Sequence, residues 1–326
     1  MYFANALHQV QAVRTSDGRT RWISSSVGIQ FDIALALHVA KGLVLYPQYD
    51  IYAFDVGTGA LVWTFADSAH TAGGFSRLSS DASRVYGGSA SGVVVAVRLL
   101  DGTLAWRTKV SADTGQVNVY SPLVSGNTVY AGYLKYSPPF TGGLVALDAS
   151  TGAVRWSQDL PPVSPNLWGG AAFDAVKVWQ DLVVVSCQDG TVRAFRSDSG
   201  TAVWTSPRPS GLAAGVNDPR PLAVAGDVLV VGSDLTMVQG LDARTGALVW
   251  TRNIPAGGSL NYPIVSMGDT FLLRYTSLQV ARLVGGTGSI LWQTLSVSEP
   301  EILALPAFDS TQVYVATGAG FFALRR

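Results

Sequence analysis

Charge is scarce in this chain. Of 326 residues only 13% are charged, glutamate occurs twice (Glu299 and Glu301), lysine four times, histidine three times and cysteine once. A single cysteine, Cys187, excludes an internal disulfide and any multi-cysteine metal centre, and its place after the apolar run from Leu182 reads as a buried, inert thiol. Lys+Arg 22 against Asp+Glu 22 leaves no net charge, and there is no basic run, so an electrostatic grip on nucleic acid or anionic lipid is not expected. No stretch approaches eighteen uninterrupted apolar residues, so no membrane-spanning helix is expected although hydrophobic residues make up 48%. Helix-favouring composition is also thin, since Gly and Val punctuate the chain and point to strands and turns.

What the chain does have is a repeat. Glycine precedes tryptophan by four residues at Gly18/Trp22, Gly59/Trp63, Gly102/Trp106, Gly152/Trp156, Gly200/Trp204, Gly246/Trp250 and Gly288/Trp292. Successive tryptophans lie 41 to 50 residues apart, the period of a four-stranded propeller blade. Within each copy an apolar strand runs into Ala-x-Asp-x-x-Thr-Gly, clearest at Ala53 to Gly59, Ala146 to Gly152 and Gly240 to Gly246. The Asp and Thr side chains can bond nearby backbone N–H groups, and Gly supplies positive φ to a bulged hairpin. Ala before the turn is expected to admit a neighbouring blade closely, and Trp to pack flat between blades.

Further runs such as Leu43 to Tyr46, Arg84 to Gly88, Thr128 to Gly132, Leu182 to Ser186, Val228 to Gly232 and Val313 to Thr317 read as central strands, each preceded by another, as at Tyr120 to Val124. The expectation is one all-β domain over residues 1–326, a closed β-propeller of four-stranded antiparallel blades. Eight blades are favoured, or seven if terminal strands pair across the closure. The first copy lacks a strand at its start, and the last stops where its turn and Trp strand are due.

The turn-and-Trp motif at Thr58-Gly59 to Trp63, Thr151-Gly152 to Trp156 and Thr245-Gly246 to Trp250 resembles the pyrroloquinoline-quinone-like repeat, found in quinoprotein dehydrogenases and in the outer-membrane assembly lipoprotein BamB. The resemblance covers essentially the whole chain, with departures at Arg282-Leu283-Val284 and Asp101-Gly102. It implies the fold strongly and function weakly, because catalytic and non-catalytic proteins share the repeat. The quinone enzymes hold their cofactor with calcium and acidic ligands, often beside paired cysteines. One cysteine, and two glutamates flanking Pro300, give such a site almost no material, so no enzyme, cofactor or metal is expected. His8, His38 and His70 fall in separate copies without metal-ligand spacing, and Asp67, Ser68 and His70 on one loop do not make a nucleophilic triad. Gly285 to Gly288 and Asp189-Gly190 read as hairpin turns rather than phosphate cradles.

Binding residues are sought in the insertions. With strands A to D in chain order, B–C and D–A connections of a propeller emerge on one face, and the long segments Tyr133–Gly143, Asp159–Phe173 and Ser206–Pro221 are of these kinds. They carry Tyr133, Tyr136, Phe140, Trp168, Arg208 and Arg220, the aromatic and arginine side chains that recognition favours. Trp168 and Trp179 stand outside the repeat register, the latter as a candidate core residue. The resemblance implies a monomeric, non-catalytic scaffold of the bacterial cell envelope that offers these loops to a protein partner. The alternative is an extracytoplasmic sensor domain with a small ligand in the central funnel. Residues 1–6 lack the basic start and apolar run of a signal peptide, so the chain is expected to be a mature or truncated piece, periplasmic or extracytoplasmic, with a lipid anchor on the full-length protein as an option.

Overall fold

Strands alternate with tight turns along the whole of the described chain. The structure, a computed structural model, describes residues 1–5, 7–27, 37–67, 74–112, 115–138, 140–208, 222–233, 237–253, 264–276, 279–293, 307–309, 312–317 and 320–325. Among these residues the strands form eight antiparallel sheets, six of four strands and two of three, and each sheet is built from consecutive strands. The three-stranded sheets are the first, Tyr2–Ala4, Val10–Val13 and Thr20–Ile23, and the eighth, Ala307–Phe308, Gln312–Thr317 and Gly320–Arg325. Sheet 2 shows the full pattern: A is His38–Ala40, B is Leu43–Pro47, C is Ile51–Asp55 and D is Leu61–Phe65. The expected all-β propeller of four-stranded blades is therefore the fold. The chain divides into two compact units, residues 1–137 with 145–157 and residues 138–144 with 158–326.

The hairpin between C and D repeats in chemical detail. The Asp55 Oδ1 accepts hydrogen bonds from the backbone N–H of Gly57 (3.0 Å) and Thr58 (2.8 Å) and from the Thr58 hydroxyl (2.9 Å). Asp148 does the same for Ser150 and Thr151, and Asp242 for Arg244 and Thr245. Gly59 closes the turn at φ +74°, and the ladder shifts register by one residue between Ala53 and Phe54. The same bulge recurs at Ala96/Val97, Ala194/Phe195 and Gly240/Leu241. The small residue before the bulge is buried, as at Ala53 and Ala96. It sits directly opposite the tryptophan of its own sheet, as Ala53 opposite Trp63 and Ala96 opposite Trp106, and a Cβ at Gly240 would collide with the Trp250 ring.

Each tryptophan reaches forward instead to the glycine of the next copy. The ring of Trp22 covers Gly59, Trp63 covers Gly102 and Trp106 covers Gly152 in the first unit; Trp204 covers Gly246 and Trp250 covers Gly288 in the second. A methyl on Gly102 would lie 2.7 Å from Trp63 Cδ2, where no real Cβ fits. The indole N–H then donates to a backbone carbonyl just past the C strand of that next sheet: Trp22 to Val56 (3.1 Å), Trp63 to Leu99 (3.0 Å), Trp106 to Ala149 (2.9 Å) and Trp250 to Gly285 (2.7 Å). The indoles of Trp204 and Trp292 find no acceptor among the described residues. Apolar side chains of adjacent sheets pack around these rings, as where Leu45, Ala53 and Trp63 of sheet 2 meet Val85, Val95 and Val97 of sheet 3, whose strands are Ser79–Ser80, Arg84–Gly88, Val93–Arg98 and Leu104–Lys109.

Two outcomes follow. Gly59→Ala combines an unfavourable left-handed alanine, about 1 kcal/mol, with overpacking against Trp22 of about 1–3 kcal/mol, so urea unfolding should show a loss of about 2–4 kcal/mol. Gly18→Ala has the same φ class but nothing within 4 Å, and should lose only about 1 kcal/mol. Hydrogen bonds from Thr58, from Arg155 and Ser150, and from Thr245 hold the carboxyls of Asp55, Asp148 and Asp242 below their ordinary pKa. A depressed folded pKa contributes stability above the unfolded value of about 3.9 that is lost as pH falls through the folded value. Acid unfolding should therefore deepen below about pH 4, and the triple variant Asp55→Asn, Asp148→Asn, Asp242→Asn should flatten that limb in a circular-dichroism titration.

Candidate functional site

Among the described residues of the second unit, a long connection lies beside sheet 5, whose strands are Ala171–Trp179, Leu182–Cys187, Val192–Arg196 and Ala202–Thr205. Sheet 4 comprises Val117–Ser125, Thr128–Lys135, Gly142–Asp148 and Val154–Asp159. The connection between these sheets, residues 160–170, contains Pro161, Pro162 and Pro165 and is closely hydrogen-bonded. The Leu160 N–H donates to the Gly142 carbonyl (3.0 Å), Gly169 to Phe140 (2.8 Å), Gly170 to Leu160 (2.7 Å) and Leu167 to Ser164 (3.0 Å). The last bond closes a turn with Pro165 and Asn166 at its centre. Leu160 and Leu167 point inward and are buried, while Val163 is 54% exposed. Gly169 leaves no room for a Cβ, which would collide with the Leu160 carbonyl. The two loop aromatics meet across this backbone: the rings of Phe140 and Trp168 stack with centroids 4.5 Å apart and planes 12° from parallel. Both remain half-buried, so the pair presents a flat edge.

Beneath that loop is a buried charge cluster. Asp189, in the B–C turn of sheet 5, is 0% exposed. Its Oδ1 accepts from the Thr191 N–H (2.9 Å) and hydroxyl (2.6 Å). Its Oδ2 accepts from the Val163 N–H (3.0 Å) in the overlying loop and from the Arg193 guanidinium (2.7 Å). Arg193 also donates to the Pro161 carbonyl (2.6 Å) and through Nε to the Thr191 hydroxyl (3.2 Å). The Asp189 carbonyl accepts from Arg208 Nε (3.0 Å). One residue thus ties the B–C turn to the D–A loop before sheet 5 and to the beginning of the D–A loop after it. Next to it Cys187 is fully buried, and burial pushes its thiol up to about 12, with the Asp189 charge adding and Arg193 opposing; it is the inert thiol expected.

The expected binding residues divide accordingly. Phe140 and Trp168 are in direct contact, and Arg208 joins them through Asp189. Tyr133 is not a loop residue: the strand extends to Lys135, Tyr133 is 5% exposed, and its ring belongs to the core with Tyr86 and Val119. Tyr136 begins the loop, is 36% exposed, and shares a 2.8 Å hydroxyl contact with Tyr120. Burial, then that hydrogen bond, raises the pKa of Tyr120. The segment expected to loop from Asp159 to Phe173 is shorter, because strand pairing resumes at Ala171 opposite Cys187. Trp179 is a core residue, buried at the end of its strand with its indole donating to Gly226 (3.2 Å). Arg220, Ser68, His70, Glu299 and Glu301 lie outside the described residues. Asp67 is paired with Arg107 at 3.3 Å, and His38 Nε2 is 2.8 Å from the Ser80 hydroxyl, with burial lowering the pKa of His38. Among the described residues no three His, Cys, Asp or Glu side chains converge to hold a metal ion.

Sequence reasoning passed over Asp189, Thr191 and Arg193 because Asp-Gly reads locally as a turn. The turn is real, with Gly190 at φ +82°. The missed signal is the burial of opposite charges four residues apart between two apolar strands, where an unpaired charge is too costly.

Antiparallel sheets in chain order, with repeat tryptophans packed on glycines of the following sheet within each unit, define a β-propeller of PQQ-like repeats. The family model described as outer membrane protein assembly factor BamB matches residues 1–137 and 136–271, and the chain belongs to that family. It is 29% identical over 288 residues to outer membrane protein assembly factor BamB of Yersinia pestis, covering 83% of this chain and 68% of the relative. It is 24% identical over 315 residues to tetrathionate hydrolase of Acidithiobacillus ferrooxidans, covering 73% and 62%. Among solved structures, BamB from Moraxella catarrhalis superimposes with a TM-score of 0.65 at 15% identity, covering 99% of this chain and 90% of that one. A europium-containing methanol dehydrogenase gives 0.69 at 15% identity over 89% and 75%. The structural likenesses carry the fold alone.

Proposed function

We propose that this chain is a non-catalytic, protein-binding scaffold that works outside the cytoplasm in the assembly of outer-membrane proteins. The observation that carries the reading is the family match across residues 1–271, joined to a rim whose aromatic pair is held by a closely hydrogen-bonded loop. A loop ordered before its partner arrives loses less conformational entropy on binding, and a half-exposed Phe–Trp stack offers a rigid apolar anchor. Phe140, Trp168 and Arg208 are the contact residues in this account.

The family resemblance also brings quinone-dependent oxidation and its calcium ion into question. The residues described do not fit that group: no acidic or histidine cluster converges, and the one thiol is sealed in the core. No reaction step is assigned to it. Nothing specific in the geometry favours the sensor reading.

The test is a gene deletion in the native host, scored by the heat-modifiable, folded fraction of outer-membrane β-barrel proteins on electrophoresis. Deletion should lower that fraction, wild-type protein should restore it, and the Phe140→Ala/Trp168→Ala variant should restore it poorly, since loss of an interface anchor costs about 2 kcal/mol or more. An unchanged folded fraction on deletion contradicts the proposal, as does reduction of a redox dye by the protein supplied with quinone and calcium.

A further inference from the structure

We infer that Asp189 and Arg193 are positioning residues of the rim: their buried ion pair fixes the 160–170 loop, and with it the Trp168–Phe140 stack, in the shape that a partner meets. This rests on the reading of that rim as the docking surface. The pair is expensive to bury, because both ions leave water and only good geometry and further hydrogen bonds offset that cost. Here both Asp189 oxygens are used twice, and Arg193 donates through Nη2 to both the Asp189 carboxylate and the Pro161 carbonyl and through Nε to the Thr191 hydroxyl. Two side-chain bonds of the pair, Val163 N–H to Asp189 and Arg193 to Pro161, end on the loop. Neither is required to close the hairpin, which is already closed by the Cys187 and Thr191 backbone groups.

The other sheets supply the comparison. The B–C turn of sheet 3 bridges Ser89 and Gly92 with the Ser89 hydroxyl receiving the Ser91 N–H, and sheet 2 turns at Gln48 to Asp50 through a backbone bond. Neither turn carries a buried Asp–Arg pair, yet both sheets have the same four strands. The blade does not need the pair; the loop beside sheet 5 does. Trp168 lies five residues beyond Val163 and is braced at Gly169 and Gly170, so tethering at Pro161 and Val163 holds the opposite arm of the same loop.

Native-state hydrogen exchange of the full chain tests this, because local opening is read peptide by peptide. Two variants are needed. Arg193→Lys keeps the charge but loses the separate Nε bond to Thr191 and the planar guanidinium that orients the group, and Asp189→Asn/Arg193→Gln removes both charges so that neither is left buried alone. Exchange over residues 160–170 should rise by about tenfold or more in the double variant, as charge-assisted bonds are lost, and by less in Arg193→Lys. Exchange in the Leu43–Pro47 and Ile51–Asp55 strands should be unchanged. Unchanged exchange over 160–170 in both variants overturns the inference, and so does a rise spread evenly over the chain, which marks a general structural role. If the loop is released but the variant still restores folded outer-membrane protein in the deletion strain, the positioning role stands and the docking role of the rim falls.

Discussion

The fold depends on one contact made repeatedly: the indole of one sheet lying on a glycine of the next. It joins two needs of a strand-rich chain, a large apolar surface to pack between sheets and a close approach that only a residue without Cβ permits. Positive φ and lack of space coincide at that glycine, so the turn conformation and the packing of the adjacent sheet are set by the same position. The indole N–H adds direction by choosing a carbonyl at the end of a strand, which fixes how one sheet is rotated against its neighbour. Charge has almost no part in this, and the chain contains little.

From rigid sheets follows the character of the rim. A connection that leaves one sheet and enters the next has both ends anchored, and the 160–170 loop adds a folded turn, three prolines and a buried ion pair between those ends. The outcome is a surface loop with the internal bonding of a core element. That is the physical basis on which recognition is proposed for it: order present before binding need not be created by it.

Much of the architecture could be read from sequence because its governing constraint is written locally. Gly59 and Trp63 sit four apart in the chain although neither packs on the other; each packs on a different copy, and only the repetition reveals them as partners. Central strands such as Arg84–Gly88 appear at their full extent, since β-branched runs bounded by turn residues have few other solutions. From sequence Tyr133 reads as a loop residue because Gly132 looks like a strand end, whereas cross-strand pairing with Val119 carries the strand on to Lys135. Asp189 was hidden for the opposite reason: its local role as a turn residue is complete in itself, and its bonds to Val163 and Arg208 span 26 and 19 residues. Long-range polar bonds leave no periodic trace. The rim was therefore legible as insertions, and its internal wiring was not.

The tryptophan–glycine contact is tested most directly by a double-mutant cycle between Trp63 and Gly102, measured by urea unfolding. If the indole is what excludes a methyl group at Gly102, the overpacking part of the Gly102→Ala loss, about 1–3 kcal/mol, should disappear in a Trp63→Leu background. Equal losses from Gly102→Ala with and without the indole would show that the two positions do not sense each other, and the account of the fold would fail.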